Sequence, residues 1–181
     1  MQQEILEEEV LRNIKFIGPF GDVSELFGNP VLRQKIIDYF RYWLTVTHKE
    51  LKIDRIAGVE TRGAVLAMAV AHDLTLPYAM IRRGGKLHKG LSPLTKTFTN
   101  YKGTLDSLEV SSSHFHKGEH VVIVDDWFET GQSAMAAKEL IERCGASVVA
   151  FCTIVNDTSQ HPDAQEFFSH YPFLSIVDLK R

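Results

Sequence analysis

The apolar positions of this chain follow two spacings, one helical and one of short runs. Residues 3–12 form an acidic segment that reads as a short helix. Residues 13–28 hold Gly18, Pro19, Gly21 and Gly28 and read as a loop. Asn29-Pro30 supplies an N-cap and a proline suited to the first helical position. Val31, Ile36, Ile37, Phe40, Trp43 and Leu44 follow at helical spacing, to about His48. From there short apolar runs alternate with helical segments. Strands are expected at Arg55–Val59, Tyr78–Ile81, Val121–Val124, Ser147–Val155 and Leu174–Asp178. Helices are expected over residues 63–72 and from Gln132 to Cys144, the latter closed by Gly145. This alternation predicts an α/β fold with a central, mostly parallel sheet flanked by helices.

One stretch breaks the pattern. Residues 82–106 hold four glycines and a run of Arg and Lys with little apolar periodicity. They read as one long loop, a lid or binding loop or a disordered segment.

Composition narrows the class. With 181 residues the chain fits a single domain with one sizeable core. A net charge of −3 gives no general attraction to nucleic acid or to an anionic membrane, so neither is expected as a partner. No apolar run approaches the roughly 20 residues of a membrane span. The start, MQQEILEEEVLR, has no cationic region before an apolar one and is not expected to be a secretory signal. Cys144 and Cys152 have neither metal-ligand spacing nor the density of a disulfide scaffold. They read as buried small hydrophobes of a cytoplasmic protein. His114, His116 and His120 read as surface-loop histidines.

The chemistry lies at the strand ends, where open α/β sheets bind ligands. Three segments reach that edge: Glu60–Gly63, Arg82–Lys86 and Asp125–Ser133. In the last, the apolar run Val121–Val124 meets Asp125 and Asp126, and Glu129–Ser133 then turns into a helix. The free N–H groups of a helix start make an anion site. Thr130 and Ser133 add hydroxyl donors, and Gly131 admits a phosphate close to the backbone. No P-loop pattern exists, and this short cradle suits a monophosphate. The aspartates repel a phosphate but accept hydrogen bonds from vicinal hydroxyls. A phosphate beside a diol suggests a ribose 5-phosphate; the other reading is an Asp pair capping a helix.

VVIVDDWFETGQSA, residues 121–134, resembles the phosphoribosyl-pyrophosphate (PRPP) signature of type I phosphoribosyltransferases. That signature is an apolar strand, two acidic residues, a short variable stretch, then Thr-Gly and a small hydroxyl residue. IAGVETRG (56–63) and LPYAMIRRGGKL (76–87) are similar to segments of adenine phosphoribosyltransferases, and the resemblance covers about residues 13–158. It implies a single phosphoribosyltransferase domain over 1–181, with an N-terminal hood at 1–28 and a flexible loop at 82–106. It implies transfer of 5-phosphoribosyl from PRPP to a purine base, adenine first, with release of pyrophosphate. The alternatives are a xanthine or hypoxanthine enzyme, or a non-catalytic PRPP sensor of the same fold.

The resemblance assigns PRPP to Asp125, Asp126, Glu129, Thr130, Gly131, Gln132 and Ser133. It assigns the pyrophosphate to Thr61, Arg62, Gly63, Arg82, Arg83 and Lys86. Mg²⁺ is implied, held mainly by ligand oxygens, and so is a homodimer. Three departures fall on the acceptor side and the phosphate loop. Adenine-using relatives usually carry Phe-Arg-Asp where this chain has Phe20-Gly21-Asp22, so Phe20 and Gly21 are the expected base-binding positions. The usual Glu-Tyr-Gly is Tyr101-Lys102-Gly103, which makes Tyr101 the expected catalytic partner of the aspartates. Glu129 and Gln132 stand where small residues are common.

Overall fold

The computed structural model describes residues 2–17, 20–87, 93–100 and 102–180. Helix α1 (Gln2–Arg12) leads into a hairpin of β1 (Lys15–Ile17) and β2 (Phe20–Asp22). Helices α2 (Ser24–Gly28) and α3 (Pro30–Tyr42) follow, and a π turn over Trp43–Thr47 extends α3 to His48. Then come β3 (Arg55–Val59), α4 (Arg62–Asp73), β4 (Tyr78–Arg83), β5 (Pro93–Thr99) and β6 (Leu105–Ser111). The chain closes with β7 (His120–Phe128), α5 (Gln132–Arg143), β8 (Ser147–Asn156), α6 (Pro162–Ser169) and β9 (Phe173–Asp178).

Seven strands form one sheet in the order β5-β6-β4-β3-β7-β8-β9. The five strands β4-β3-β7-β8-β9 are parallel, and β6 and β5 extend them antiparallel. The expected mostly parallel α/β sheet is therefore present. Each face of the sheet has its own core. On one, Ile56, Val122, Val124 and Ile154 pack with residues of α1, α3 and α4. On the other, Ala57, Ile123 and Phe151 pack with α5 and α6. Burial on both faces is why the parallel strands read as unbroken apolar runs.

Local signals explain the helix ends. Asn29 caps α3, its Oδ1 accepting from Val31 N and Leu32 N at 3.1 Å each, with Pro30 at the first turn. Cys144 closes α5, and Gly145 beyond it takes φ 89°.

The structure revises the expected elements in four places. The loop over 13–28 contains the β1–β2 hairpin and α2; Gly18 and Pro19 lie outside the described residues. The loop over 82–106 contains the end of β4 and all of β5, which pairs with β6 from Thr99↔Leu105 to Pro93↔Ser111. PLTKTFT alternates, with Leu94 and Phe98 turned toward the second core and Thr95 and Thr97 exposed. That period of two is a strand signal, although threonines supply half of it. Residues 88–92 of this loop lie outside the described residues. Helix α6 was not expected; its aromatics close the second core, with Phe168 stacked on Phe128 at 4.8 Å. Finally, β7 does not stop at Val124. It runs on through both aspartates, pairing Asp125↔Thr153 and Phe128↔Asn156.

Candidate active site

Because β7 continues past its apolar run, Asp125 and Asp126 are held by a sheet ladder and are only 7% exposed each. Burial beside a second carboxylate pushes the Asp125 carboxyl well above the usual range. Asp125 Oδ1 accepts from Asp126 N at 2.9 Å. Its side chain lies against Gly63, where a Cβ would come within 2.0 Å of Oδ1. Gly63 must therefore be glycine for Asp125 to sit where it does. One strand away, a Cβ on Gly58 would meet Ala67 at 2.4 Å. That close packing seats the start of α4 on β3, beside β7.

The two aspartates line a cavity of about 380 Å³. Opposite polar walls close it. Glu129, Thr130, Gly131 and Ser133 form one wall, at the start of α5. Gly131 has φ 70°, and its carbonyl accepts the first helical bond, from Met135 N at 2.9 Å. The N–H groups of residues 132–134 precede that bond and have no helical carbonyl to donate to. A Cβ on Gly131 would lie 3.0 Å from Ala164 Cβ, so α6 backs this turn. Glu60, Thr61 and Arg62 form a second wall, at the start of α4, with Arg83 beside them. Two helix N-termini thus open on one cavity, and each favours an anion. The Glu60–Thr61 peptide is cis.

Arg62 bridges two carboxylates. Its Nε stands 2.8 Å from Asp126 Oδ2, and Nη1 stands 3.5 Å from Asp22 Oδ1. The Asp126 contact is an ion pair off the hydrogen-bond line, so buried Oδ2 accepts no hydrogen bond. Asp22, at the end of β2, is held below the usual carboxylate range by the Ser24 hydroxyl at 2.6 Å and the Ser24 N–H at 2.9 Å. Glu60 Oε2 accepts from Arg83 N at 3.1 Å and lies 3.5 Å from Arg82 Nε. Arg83 also pairs with Asp106 of β6.

Of the positions expected from sequence, Gly21, Thr61, Arg62, Arg83, Asp125, Asp126, Glu129, Thr130, Gly131 and Ser133 share this cavity. Gly63 lies under Asp125. Gln132, Arg82 and Lys86 are not in its walls; Arg82 Nη1 donates to Lys86 O at 3.1 Å instead. The Phe20 side chain and Tyr101 lie outside the described residues. Sequence reasoning put Glu60 at this edge without giving it a role and missed Trp127; both line the cavity. Each is adjacent to an expected residue at a strand end, and that adjacency was the available signal. Cys144 and Cys152 are both free, half-buried and buried, with thiols pushed up by burial. Among the described residues no helix is long and apolar enough to cross a membrane.

Comparison with known proteins agrees with this geometry. Residues 23–172 match the phosphoribosyl transferase domain family. Adenine phosphoribosyltransferase of Brucella suis is 34% identical over 137 residues, which are 76% of this chain and 72% of that protein. The crystal structure of adenine phosphoribosyltransferase from Saccharomyces cerevisiae, complexed with an imino-altritol bisphosphate and adenine, matches with a TM-score of 0.82 at 28% identity. That match covers 96% of this chain and 99% of the yeast chain. The enzyme from Thermoanaerobacter pseudethanolicus shares the fold, with a TM-score of 0.84 at 24% identity over 96% of this chain and 99% of its own. Two acidic residues inside a buried strand, between two helix starts, are thus set in the frame of a known family, and this chain belongs to the phosphoribosyltransferases.

Proposed function

We propose that this protein transfers 5-phosphoribosyl from PRPP to a purine base, adenine first, releasing pyrophosphate and forming a nucleoside monophosphate. The observation that carries the reading is the Asp125–Asp126 pair facing two helix N-termini across one cavity. The aspartates accept hydrogen bonds from the ribose diol. The α5 start, with Thr130, Gly131 and Ser133, holds the 5-phosphate. Thr61, Arg62 and Gly63 hold the pyrophosphate, with Arg83 beside them and Arg82 and Lys86 flanking. A base nitrogen bonds to the anomeric carbon as the bond from that carbon to the pyrophosphate oxygen breaks, and the proton of that nitrogen passes to the departing pyrophosphate or to water. The sugar carbon becomes oxocarbenium-like, and the adjacent carboxylates favour that charge. Tyr101, which stands where relatives usually carry a glutamate, would hydrogen-bond the base. Residues 1–28 serve as the hood of a single domain.

Mg²⁺ fits these residues as an ion carried in with the donor. Among the described residues no group of three or more His, Cys, Asp or Glu could hold a metal alone. Asp125 and Asp126, which line the cavity, would hold it or one of its waters. When bound, Mg²⁺ neutralises pyrophosphate charge. The protein is read as a cytoplasmic enzyme of purine salvage.

The test incubates the chain with Mg²⁺, PRPP and each purine separately and follows pyrophosphate release. Release with adenine is the expected outcome. Release only with hypoxanthine or xanthine reassigns the base, and PRPP binding without turnover replaces the enzyme with a sensor.

A further inference from the structure

The cations Arg82, Arg83 and Lys86 end β4 and enter the turn that follows it, and a buried carboxylate closes that turn. Glu109 of β6 is only 5% exposed. Its neighbours Leu108 and Val110 belong to the second core, so Glu109 points to the opposite side of the sheet. Its strand partner on β5 is Thr95, which is exposed, and on β4 it is Arg82. The turn leaving β4 folds back over it, and Glu109 Oε1 accepts from both Lys86 N and Leu87 N. Gly85 precedes these two N–H groups at φ 78°. Successive N–H groups beside a left-handed residue form a concavity that receives an anion. Here the chain fills it with its own carboxylate.

The same turn is held at other points. Gly84 N donates to Ser107 O at 2.9 Å, and a Cβ on Gly84 would lie 2.0 Å from Ser107 Oγ. Glu60 accepts from Arg83 N at the near end, and Arg83 lines the cavity. Glu109 itself is not in the cavity wall.

We propose that Glu109 is a positioning residue for the pyrophosphate site: by accepting from Lys86 N and Leu87 N it holds the turn over residues 83–87 in the shape that presents Arg83 and Lys86 to the donor. This rests on the reading above, which gives those cations to the pyrophosphate. Hydrogen bonds to a carboxylate are about twice as strong as neutral ones, so one side chain fixes two peptide groups. A turn ordered beforehand removes that ordering cost from binding. The Glu109 carboxylate is engaged with the backbone and turned away from the cavity, so it does not oppose the incoming anion.

The test titrates magnesium pyrophosphate and adenosine monophosphate separately into each variant by calorimetry. Glu109→Ala should weaken pyrophosphate binding about tenfold or more, the scale of a displaced binding group, and leave nucleotide binding unchanged. Glu109→Gln keeps an oxygen able to accept both N–H groups and should recover most of the loss. Unchanged pyrophosphate binding in Glu109→Ala, equal losses for the two ligands, or a Gln variant as weak as the Ala variant would each overturn the proposal. In a Lys86→Met background Glu109→Ala should cost less than in the wild-type chain, because one of the cations it aims is gone. An undiminished loss there overturns the positioning role. If Glu109→Ala fails to fold, by its circular-dichroism melt, Glu109→Asp takes its place with the same expected outcomes, being one methylene too short to reach both N–H groups. Weakened pyrophosphate binding without pyrophosphate release in any purine assay would sink the transferase reading and leave the positioning role standing. Unchanged binding in a chain that turns over adenine would do the reverse.

Discussion

Asp125 is the residue on which site and stability pull in opposite directions. It is buried, adjacent to Asp126 and pushed up in pKa, so the free protein carries a cost, which the sugar of the proposed donor would offset. A carboxyl whose folded pKa exceeds its unfolded value destabilises the fold wherever the unfolded chain would ionise it. Stability of the unliganded chain should therefore rise as pH falls toward the ordinary carboxylate range. Asp125→Asn keeps the oxygen that accepts from Asp126 N and removes the charge. Its melting temperature near neutral pH should rise by about 2–4 °C, the equivalent of about 1 kcal/mol at this chain length, and the acid-side gain should vanish. Asp125→Asn with Asp126→Asn should cut kcat/KM for PRPP about 100-fold or more, while circular dichroism stays unchanged. Near-normal turnover in that double variant would remove the diol assignment.

Among elements, the turn into α5 is held by both its backbone and its neighbours. Gly131 holds φ 70° at the helix start, and Ala164 of α6 stands where a side chain would grow. Gly131→Ala combines a left-handed backbone, costing roughly 1–2 kcal/mol, with that crowding. Urea unfolding should show the loss, and KM for PRPP should rise because the donor N–H groups move. A variant with unchanged KM would show that the phosphate does not sit on this turn. Helix α6 thus supports the site at one remove, through Phe128 and Phe168 behind the turn into α5. The β5–β6 hairpin does so on the other side, where Asp106 and Glu60 hold Arg83.

At the scale of the molecule, the two ends of the sheet do different work. At the end opposite the site, Asp54 before β3 accepts from the ring and backbone N–H of His120, at 2.8 and 2.9 Å. These bonds hold the Asp54 carboxyl down to about 2 from an ordinary 3.8. Their stabilisation is fully present above the ordinary value and lost as pH falls through about 2. Asp54→Asn should therefore flatten the acid limb of melting temperature against pH below about 4, with turnover at neutral pH retained. A homodimer, if formed as the resemblance implies, should give a light-scattering mass twice the 20.5 kDa of one chain; a mass of one chain rejects it. The sequence by itself determined the parallel core and the donor motif. Apolar runs such as Val121–Val124, the Asn29-Pro30 cap and the Asp-Asp to Thr-Gly spacing are local signals, written in neighbouring residues. Only the tertiary structure decided how far β7 runs, that 93–99 is a strand, and that α6 exists. Each depends on pairing or packing with residues far along the chain, as Asp125 with Thr153 and Phe128 with Phe168. It also decided that Gly21 meets Trp127, a contact across more than half the chain that no local spacing encodes.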